Sequence, residues 1–472
     1  MDHFHYVDGN LHGEGLRLAD VAAAAGTPTY VYSTATLAMH HDRLAAAFAA
    51  VDPLICFSVK SCPNVHVLRV LAERGAGMDV VSGGELARAR LAGVPPERIV
   101  YAGVGKTDRE IREALGAGEG MDGTGGAAAE GLGRAIGLFN IESEAEFQTI
   151  ASIARSLGLA GERAPRAALR INPDVDPRTH EYTATGRKQT KFGVDLERAR
   201  GFFRRYGRDR HLRLCGVHVH IGSPVSSVEP YVAAVERTIS LLDDLGREEG
   251  GGFEVDTLDL GGGFAADYTT GAAPAAADYA AAIVPLLRGR AAPGAGAARA
   301  AGAEARRLRI ILEPGRSIAA NAGVLLTRVL YTKESGGRRF VVCDAGMNAL
   351  IRPALYGSFH FIWPVSVAPQ HVPAARTEHP DLPSLEVCDV VGPLCESGDF
   401  LARDRPLPPV ARGDVLAVFG AGAYGMSMAS RYNSQPLPAE VLVDGARARL
   451  IRRRETYADL TAHEVDAADL PL

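Results

Sequence analysis

The sequence predicts an α/β protein: a (β/α)8 TIM-type barrel joined to a second, all-β domain at the C-terminal end. Three observations predict it. From about residue 50 to residue 318, short apolar runs alternate with amphipathic stretches. After about residue 320 the runs become short and β-type, separated by Pro- and Gly-rich turns. A chain of 472 residues is also too long for one ordinary core, so two domains are the default. The expected boundaries are 36–318 for the barrel, with 1–35 and 319–472 forming the β-domain.

Taken in order, the first 35 residues hold two strand candidates, 15–18 and 29–32, expected to pair with the β-domain. The barrel region carries apolar runs at 54–59, 99–104, 168–171, 214–221, 257–260 and 308–312. Helical patterns lie between them at 65–74, 84–92, 142–157 and 231–245. Repetition of strand, helix and strand over this length favours a closed eightfold barrel over an open sheet. Several runs end in a polar residue or glycine: Lys60, Asp79, Asn172, His220, Gly261 and Glu313. Barrel active sites sit on the C-terminal ends of the strands, so these residues are expected at one mouth. The later β-type runs are 324–331, 340–343, 385–391, 415–419 and 440–443. Two Gly/Ala-rich segments, 116–133 and 291–306, read as surface insertions without chemistry.

Composition excludes several classes. A net charge of −5 leaves no basic footprint, so nucleic acid is not an expected partner. No apolar run is long enough to span a bilayer, and residues 1–5 do not resemble a signal peptide. Six cysteines, none as Cys-x-x-Cys, argue against a disulfide framework and a structural zinc site. The expected location is cytoplasmic.

Lys60 follows the run 54–59, where a desolvated amine becomes a nucleophile able to form a Schiff base. Glu313-Pro314-Gly315-Arg316 sets a carboxylate beside a turn and an arginine, a group able to hold a protonated heterocyclic nitrogen and a phosphate. Asp259-Leu260-Gly261-Gly262-Gly263-Phe264 lets backbone N–H groups approach an anion closely. It lacks the spacing of a dinucleotide or Walker loop. His218 and His220 fall on one face of a strand. They read either as core histidines or as the His-x-His pair of a metal-dependent barrel hydrolase. The metal reading needs further ligands and leaves Lys60 and the glycines without a use.

Together these elements resemble the fold-type III decarboxylases that use pyridoxal 5′-phosphate, relatives of alanine racemase. The resemblance runs from about residue 29 to 436 and is closest to the diaminopimelate decarboxylases. It rests also on Met78-Asp79-Val80-Val81-Ser82-Gly83-Gly84-Glu85, Arg170-Ile171-Asn172-Pro173 and Lys191-Phe192-Gly193-Val194. Further on come Asp344-Ala345-Gly346-Met347-Asn348, Arg352-Pro353-Ala354-Leu355-Tyr356, Cys395-Glu396-Ser397-Gly398-Asp399 and Gly420-Ala421-Gly422-Ala423-Tyr424.

The resemblance implies roles. Lys60 would carry the cofactor, with Asp79 among the cofactor-binding residues, and His220 would stack on its ring. Ser223, Gly262, Gly315 and Arg316 would hold its phosphate. Glu313 would face the pyridine nitrogen and keep it protonated, an electron sink suited to decarboxylation rather than racemisation. Arg316, Arg352 and Tyr356 would clamp the carboxylate that stays behind, Glu396 would meet the distal ammonium, and Tyr424 would reach cofactor or substrate. Cys395 or Lys60 would return the proton, and no metal is implied. The implied reaction converts meso-2,6-diaminopimelate to L-lysine and CO2. The implied assembly is a homodimer with shared active sites, its Cys-Glu-Ser-Gly segment reaching the neighbouring subunit.

The alternatives are the same chemistry on carboxynorspermidine, ornithine or a secondary-pathway amino acid, and a non-catalytic cofactor-binding homologue. One departure stands beside the lysine: the family's usual Ala-Asn is replaced here by Ser61-Cys62-Pro63-Asn64. Cys62 reads as packing, and Cys56, Cys215, Cys343 and Cys388 as buried and inert.

Overall fold

A computed structural model of the protein describes residues 2–117, 133–176, 191–248, 252–291 and 308–464. Apart from their ends, both Gly/Ala-rich segments singled out above lie outside the described residues. The chain divides into two compact units. One comprises Leu37–Ala266 and Ala273–Ile318; the other comprises Met1–Thr36, Asp267–Ala272 and Ala319–Leu472.

The first unit is a barrel of eight parallel strands: Leu54–Ser58, Gly77–Val80, Ile99–Tyr101, Leu138–Ile141, Arg166–Asn172, Arg213–Val219, Thr257–Asp259 and Arg309–Leu312. Each pairs with the next, and the last returns to the first with Ile311 beside Leu54, which closes the ring. Closure leaves no free edge among these strands. Inside, Cys56, Val100, Leu138, Ala168, Cys215 and Ile311 form one buried apolar cluster from six different strands. Burial pushes the Cys56 thiol far up and that of Cys215 to about 11, so both pack as small hydrophobes.

Helix starts are set locally. Asn64 accepts the His66 N–H, Ser82 accepts that of Glu85, and Ser143 accepts that of Glu146. Thr107 and Glu110 form a reciprocal capping box. Ser82 and Ser143 fall two residues after their strands end, which keeps those two loops short.

The sequence runs include six of the eight strands and omit Gly77–Val80 and Leu138–Ile141. Both are buried at every position, yet Asp79 and Asn140 interrupt their short apolar runs, so neither reads as a continuous buried strand. The 54–59 run ends one residue early: Val59–Ser61 is a single 3-10 turn, so Lys60 sits on a turn rather than on the strand.

The second unit is β-rich. Its main sheet runs Phe400–Leu407, Glu386–Val391, Arg338–Cys343, Gly323–Ser335, Thr29–Ser33, Ala439–Asp444 and Arg447–Arg452. Val415–Val418 pairs both Gly323–Ser335 and Ile362–Pro364. Short helices at Arg352–Tyr356 and Tyr457–Thr461 interrupt the strands. Of the two N-terminal candidates, Thr29–Ser33 joins this sheet. The other does not: Leu16–Arg17 belongs to a separate meander with Phe4–Val7 and Asn10–Gly13, because a two-residue strand is satisfied by its immediate hairpin neighbour. Among the described residues, no helix is long and apolar enough to cross a membrane.

Ile311→Ala removes a side chain shared by the interior cluster and is expected to cost roughly 2–5 kcal/mol. Urea denaturation followed by far-UV circular dichroism measures it; an unchanged midpoint would mean that this layer does not hold the barrel.

Candidate active site

The barrel's strand ends gather three buried carboxylates, Asp79, Asp259 and Glu313. Ser58, at the end of the first strand, donates to Asp79 Oδ2 at 2.6 Å, and Lys60 Nζ donates to the same oxygen at 3.2 Å. The Lys60 side chain keeps 39% of its exposure while Asp79 keeps none. Full desolvation, the sequence-based expectation for this amine, is therefore not what distinguishes Lys60; a buried counter-charge is. Ser61 donates to the Ser58 carbonyl at 2.7 Å and closes the turn that presents the lysine. The Ser61-Cys62 departure thus adds a backbone tie, with Cys62 buried behind it.

Across the mouth, the Asn140 amide donates to Asp259 Oδ2 at 3.0 Å and to Glu313 Oε1 at 3.2 Å. The Gly261 N–H donates to Asp259 Oδ1 at 2.9 Å. His218 Nε2 lies 3.3 Å from Glu313 Oε2. Burial, then the charge of Asp79, raises Glu313 above the usual carboxylate range, and burial, then Glu313, raises Asp259. Burial lowers His218 to about 4 and takes His220 well below its ordinary value. Both imidazoles are therefore neutral, and the acids lack a cation of their own; a protonated nitrogen set against Glu313 would bring it back to the carboxylate form.

His218, Asp259 and Glu313 each place one ligand atom within 4.8 Å of the others. That spacing alone suits an ion. However, the Asn140 amide hydrogens already point at both acids, which puts the positive end of a dipole where a cation would bind.

At two glycines the chain packs too closely for a side chain. A Cβ at Gly262 would stand 2.2 Å from the Glu313 carbonyl oxygen, and one at Gly315 would stand 2.9 Å from Ser58 Cβ. Gly262 is fixed further by its N–H, which donates to His220 Nδ1 at 3.2 Å, and by the Tyr231 hydroxyl on its carbonyl. Arg316 Nε donates to Ser223 Oγ at 3.1 Å. An amine, a buried acid, a neutral imidazole, bare backbone and an arginine–hydroxyl pair fit a phosphorylated pyridine aldehyde as one donor set.

The β-rich unit carries the remaining sequence-predicted residues. Arg352 and Tyr356 share the helix Arg352–Tyr356; Arg352 is buried and Tyr356 is half-buried. Arg352 donates to the Tyr268 hydroxyl at 2.7 Å and to Ser358 Oγ at 3.1 Å. Cys395 and Glu396 are exposed; the Cys395 N–H donates to Asn433 Oδ1 at 3.1 Å, and Tyr432 donates to Glu396 Oε2 at 3.1 Å. Tyr424 is half-buried with a left-handed φ of 56°.

Asn140, Asp259 as a partner of Glu313, and Tyr268 were not assigned roles from sequence. Asn140 lies within an unrecognised strand, Leu138–Ile141, whereas Asp259 ends the strand two residues before Gly261 and is the one whose position signals it.

The model of the family described as "Pyridoxal-dependent decarboxylase, pyridoxal binding domain" matches residues 34–320. The chain is 41% identical to the diaminopimelate decarboxylase of Aquifex aeolicus, covering 98% of each. It is 42% identical to that of Pseudomonas aeruginosa, covering 98% of this chain and 99% of the relative. The chain belongs to the diaminopimelate decarboxylase family. The diaminopimelate decarboxylase of Helicobacter pylori complexed with L-lysine superposes with a TM-score of 0.80 at 35% identity, covering 95% of this chain and 99% of that one. Membership makes the protein a pyridoxal-phosphate-dependent decarboxylase and sets the metal hydrolase reading aside.

Glu85 accepts the Val81 N–H at 2.8 Å, and burial lifts its carboxyl from 4.5 to about 7. Its folded form favours the proton, so its stabilisation is full below its unfolded value and lost as pH rises through about 7. Glu85→Gln is therefore expected to reduce the fall in Tm between about pH 5 and about pH 8. Thermal melts at the two pH values check this; an unchanged fall would place the titration elsewhere.

Proposed function

We propose that the protein decarboxylates meso-2,6-diaminopimelate at its D-centre, releasing CO2 and L-lysine, the last step of lysine biosynthesis. The observation that carries the substrate reading is Arg352. Its guanidinium is buried and held by two hydroxyls, and among the described residues it has no carboxylate partner. Its Nε is buried without a hydrogen-bond acceptor. A buried cation left in that state is costly unless a ligand brings the anion. A substrate whose far end keeps a carboxylate supplies it; ornithine does not.

Bound at the barrel mouth, pyridoxal phosphate supplies a conjugated ring that takes up the electron pair left when CO2 departs. The protein's residues do the rest. Lys60 Nζ would hold the cofactor, with Asp79 as the counter-charge of that amine. Glu313, backed by Asn140 and His218, would keep the ring nitrogen protonated. Neutral His220 would face the ring, while Gly262, Gly315, Ser223 and Arg316 would hold the phosphate. Arg316, Arg352 and Tyr356 orient the distal carboxylate, with Glu396 on the distal ammonium and Tyr424 beside substrate and cofactor. The Cys395 thiol or the Lys60 amine returns the proton to the carbon that lost CO2.

The working assembly is a homodimer with shared sites. Support comes from Cys395 and Glu396, two residues with assigned chemistry that are exposed on this chain. The location is cytoplasmic, which suits six cysteines that are all free, five of them buried.

Cofactor-loaded protein is expected to release CO2 and L-lysine from meso-diaminopimelate, and Lys60→Ala to lose roughly 10³-fold or more of that rate. Release from carboxynorspermidine or ornithine instead would keep the chemistry and discard the substrate. Mixing Lys60→Ala with Cys395→Ala subunits is expected to restore roughly a quarter of wild-type activity, since half of randomly paired dimers regain one intact site. No recovery on mixing, with subunit exchange verified, would show that each site uses one chain.

A further inference from the structure

Tyr268 belongs to no motif recognised in the sequence, yet its surroundings are built. The segment Asp267–Ala272 groups with the β-rich unit. It is pinned there by Asn321 donating to the Asp267 carbonyl at 2.6 Å, Thr270 N–H to the Arg376 carbonyl at 3.0 Å, and Arg376 N–H to Thr270 Oγ1 at 3.0 Å. The Tyr268 ring meets His360 edge-on, with centroids 5.4 Å apart at 83°. His360 is itself fully buried, its Nδ1 lying 2.9 Å from the Phe419 carbonyl, and Arg405 donates to its carbonyl at 3.1 Å. A Cβ at Gly420, whose φ is +66°, would stand 3.1 Å from the Tyr268 ring, so that position is kept bare beneath it.

Against this backing, Tyr268 touches Arg352 twice. The phenol oxygen accepts from the guanidinium at 2.7 Å, and the guanidinium carbon lies 5.0 Å from the ring centre. Tyr268 thus restrains Arg352 without neutralising it, which a carboxylate in its place would do. It also packs on the first residue of the turn 420–424 that carries Tyr424.

We propose that Tyr268 is a positioning and specificity-determining residue: it holds Arg352 in the orientation that receives the substrate's distal carboxylate, and leaves its charge available. This rests on the reading of Arg352 given above. The inference is about binding geometry at the unreacted end of the substrate, so its effect falls on affinity for molecules that keep that carboxylate. The product L-lysine keeps it; cadaverine lacks it.

The test uses cofactor-loaded Tyr268→Phe, which retains the ring and loses the hydroxyl. The KM for meso-diaminopimelate is expected to rise about 10-fold, with kcat within about twofold, and L-lysine affinity by calorimetry to fall by the same factor. Cadaverine affinity is expected to stay unchanged. Ser358→Ala, which removes the other hydroxyl on Arg352, is expected to move the same two quantities and guards against a folding defect in the first variant. An unaltered KM and L-lysine affinity in Tyr268→Phe, or equal losses for cadaverine and L-lysine, would overturn the proposal. Arg352→Lys separates it from its premise. If Arg352→Lys weakens L-lysine while Tyr268→Phe does not, only the role of Tyr268 falls; if neither weakens it, the Arg352 reading falls as well.

Discussion

The barrel's mouth is organised by a shortage of positive charge. Asp79, Asp259 and Glu313 are buried at the ends of three barrel strands, and the two histidines near them are driven neutral by the same burial. Lys60 answers Asp79, and the Asn140 amide answers Asp259 and Glu313 only with partial charge. A site of this kind binds a protonated heterocycle better than a neutral one. In the proposed function Glu313 would keep the cofactor's ring nitrogen protonated, so that the ring rather than the protein accepts the electrons left as CO2 departs.

Local structure is arranged to keep those groups in place. Caps at Ser82 and Ser143 start helices two residues after their strands end, and those at Asn64 and Thr107 start them six residues after. The β-rich unit follows the same principle with a buried acid: Asp399 accepts the Met347 and Leu394 N–H groups at 2.6 Å each. Asp399 thereby ties the loop at 346–347 to the one that presents Cys395 and Glu396.

Arg352 is the counterpart of the acid cluster. There the chain buries a cation and withholds an acid, so both charge imbalances are of the kind a ligand resolves. Each also carries a structural cost, which closure of the barrel and the hydroxyl contacts of Arg352 offset. In the proposed function the second imbalance selects a substrate with a carboxylate at the far end, and the first favours decarboxylation over another fate.

The sequence by itself determined the fold class, the order of elements and the reaction chemistry. Lys60, Glu313, the glycine run and Arg316 stood out as candidates because strand ends and tight turns restrict which residues can stand there. Two strands escaped because a buried polar residue, Asp79 or Asn140, breaks each short apolar run. Only the tertiary structure decided which groups meet. Asn140 and Glu313 are 173 residues apart along the chain, and Tyr268 and Arg352 are 84 apart; no local pattern records a hydrogen bond between them. Tertiary structure also decided that Lys60 is governed by a counter-ion rather than by full burial, because exposure is a property of the closed barrel and not of the strand that leads to it.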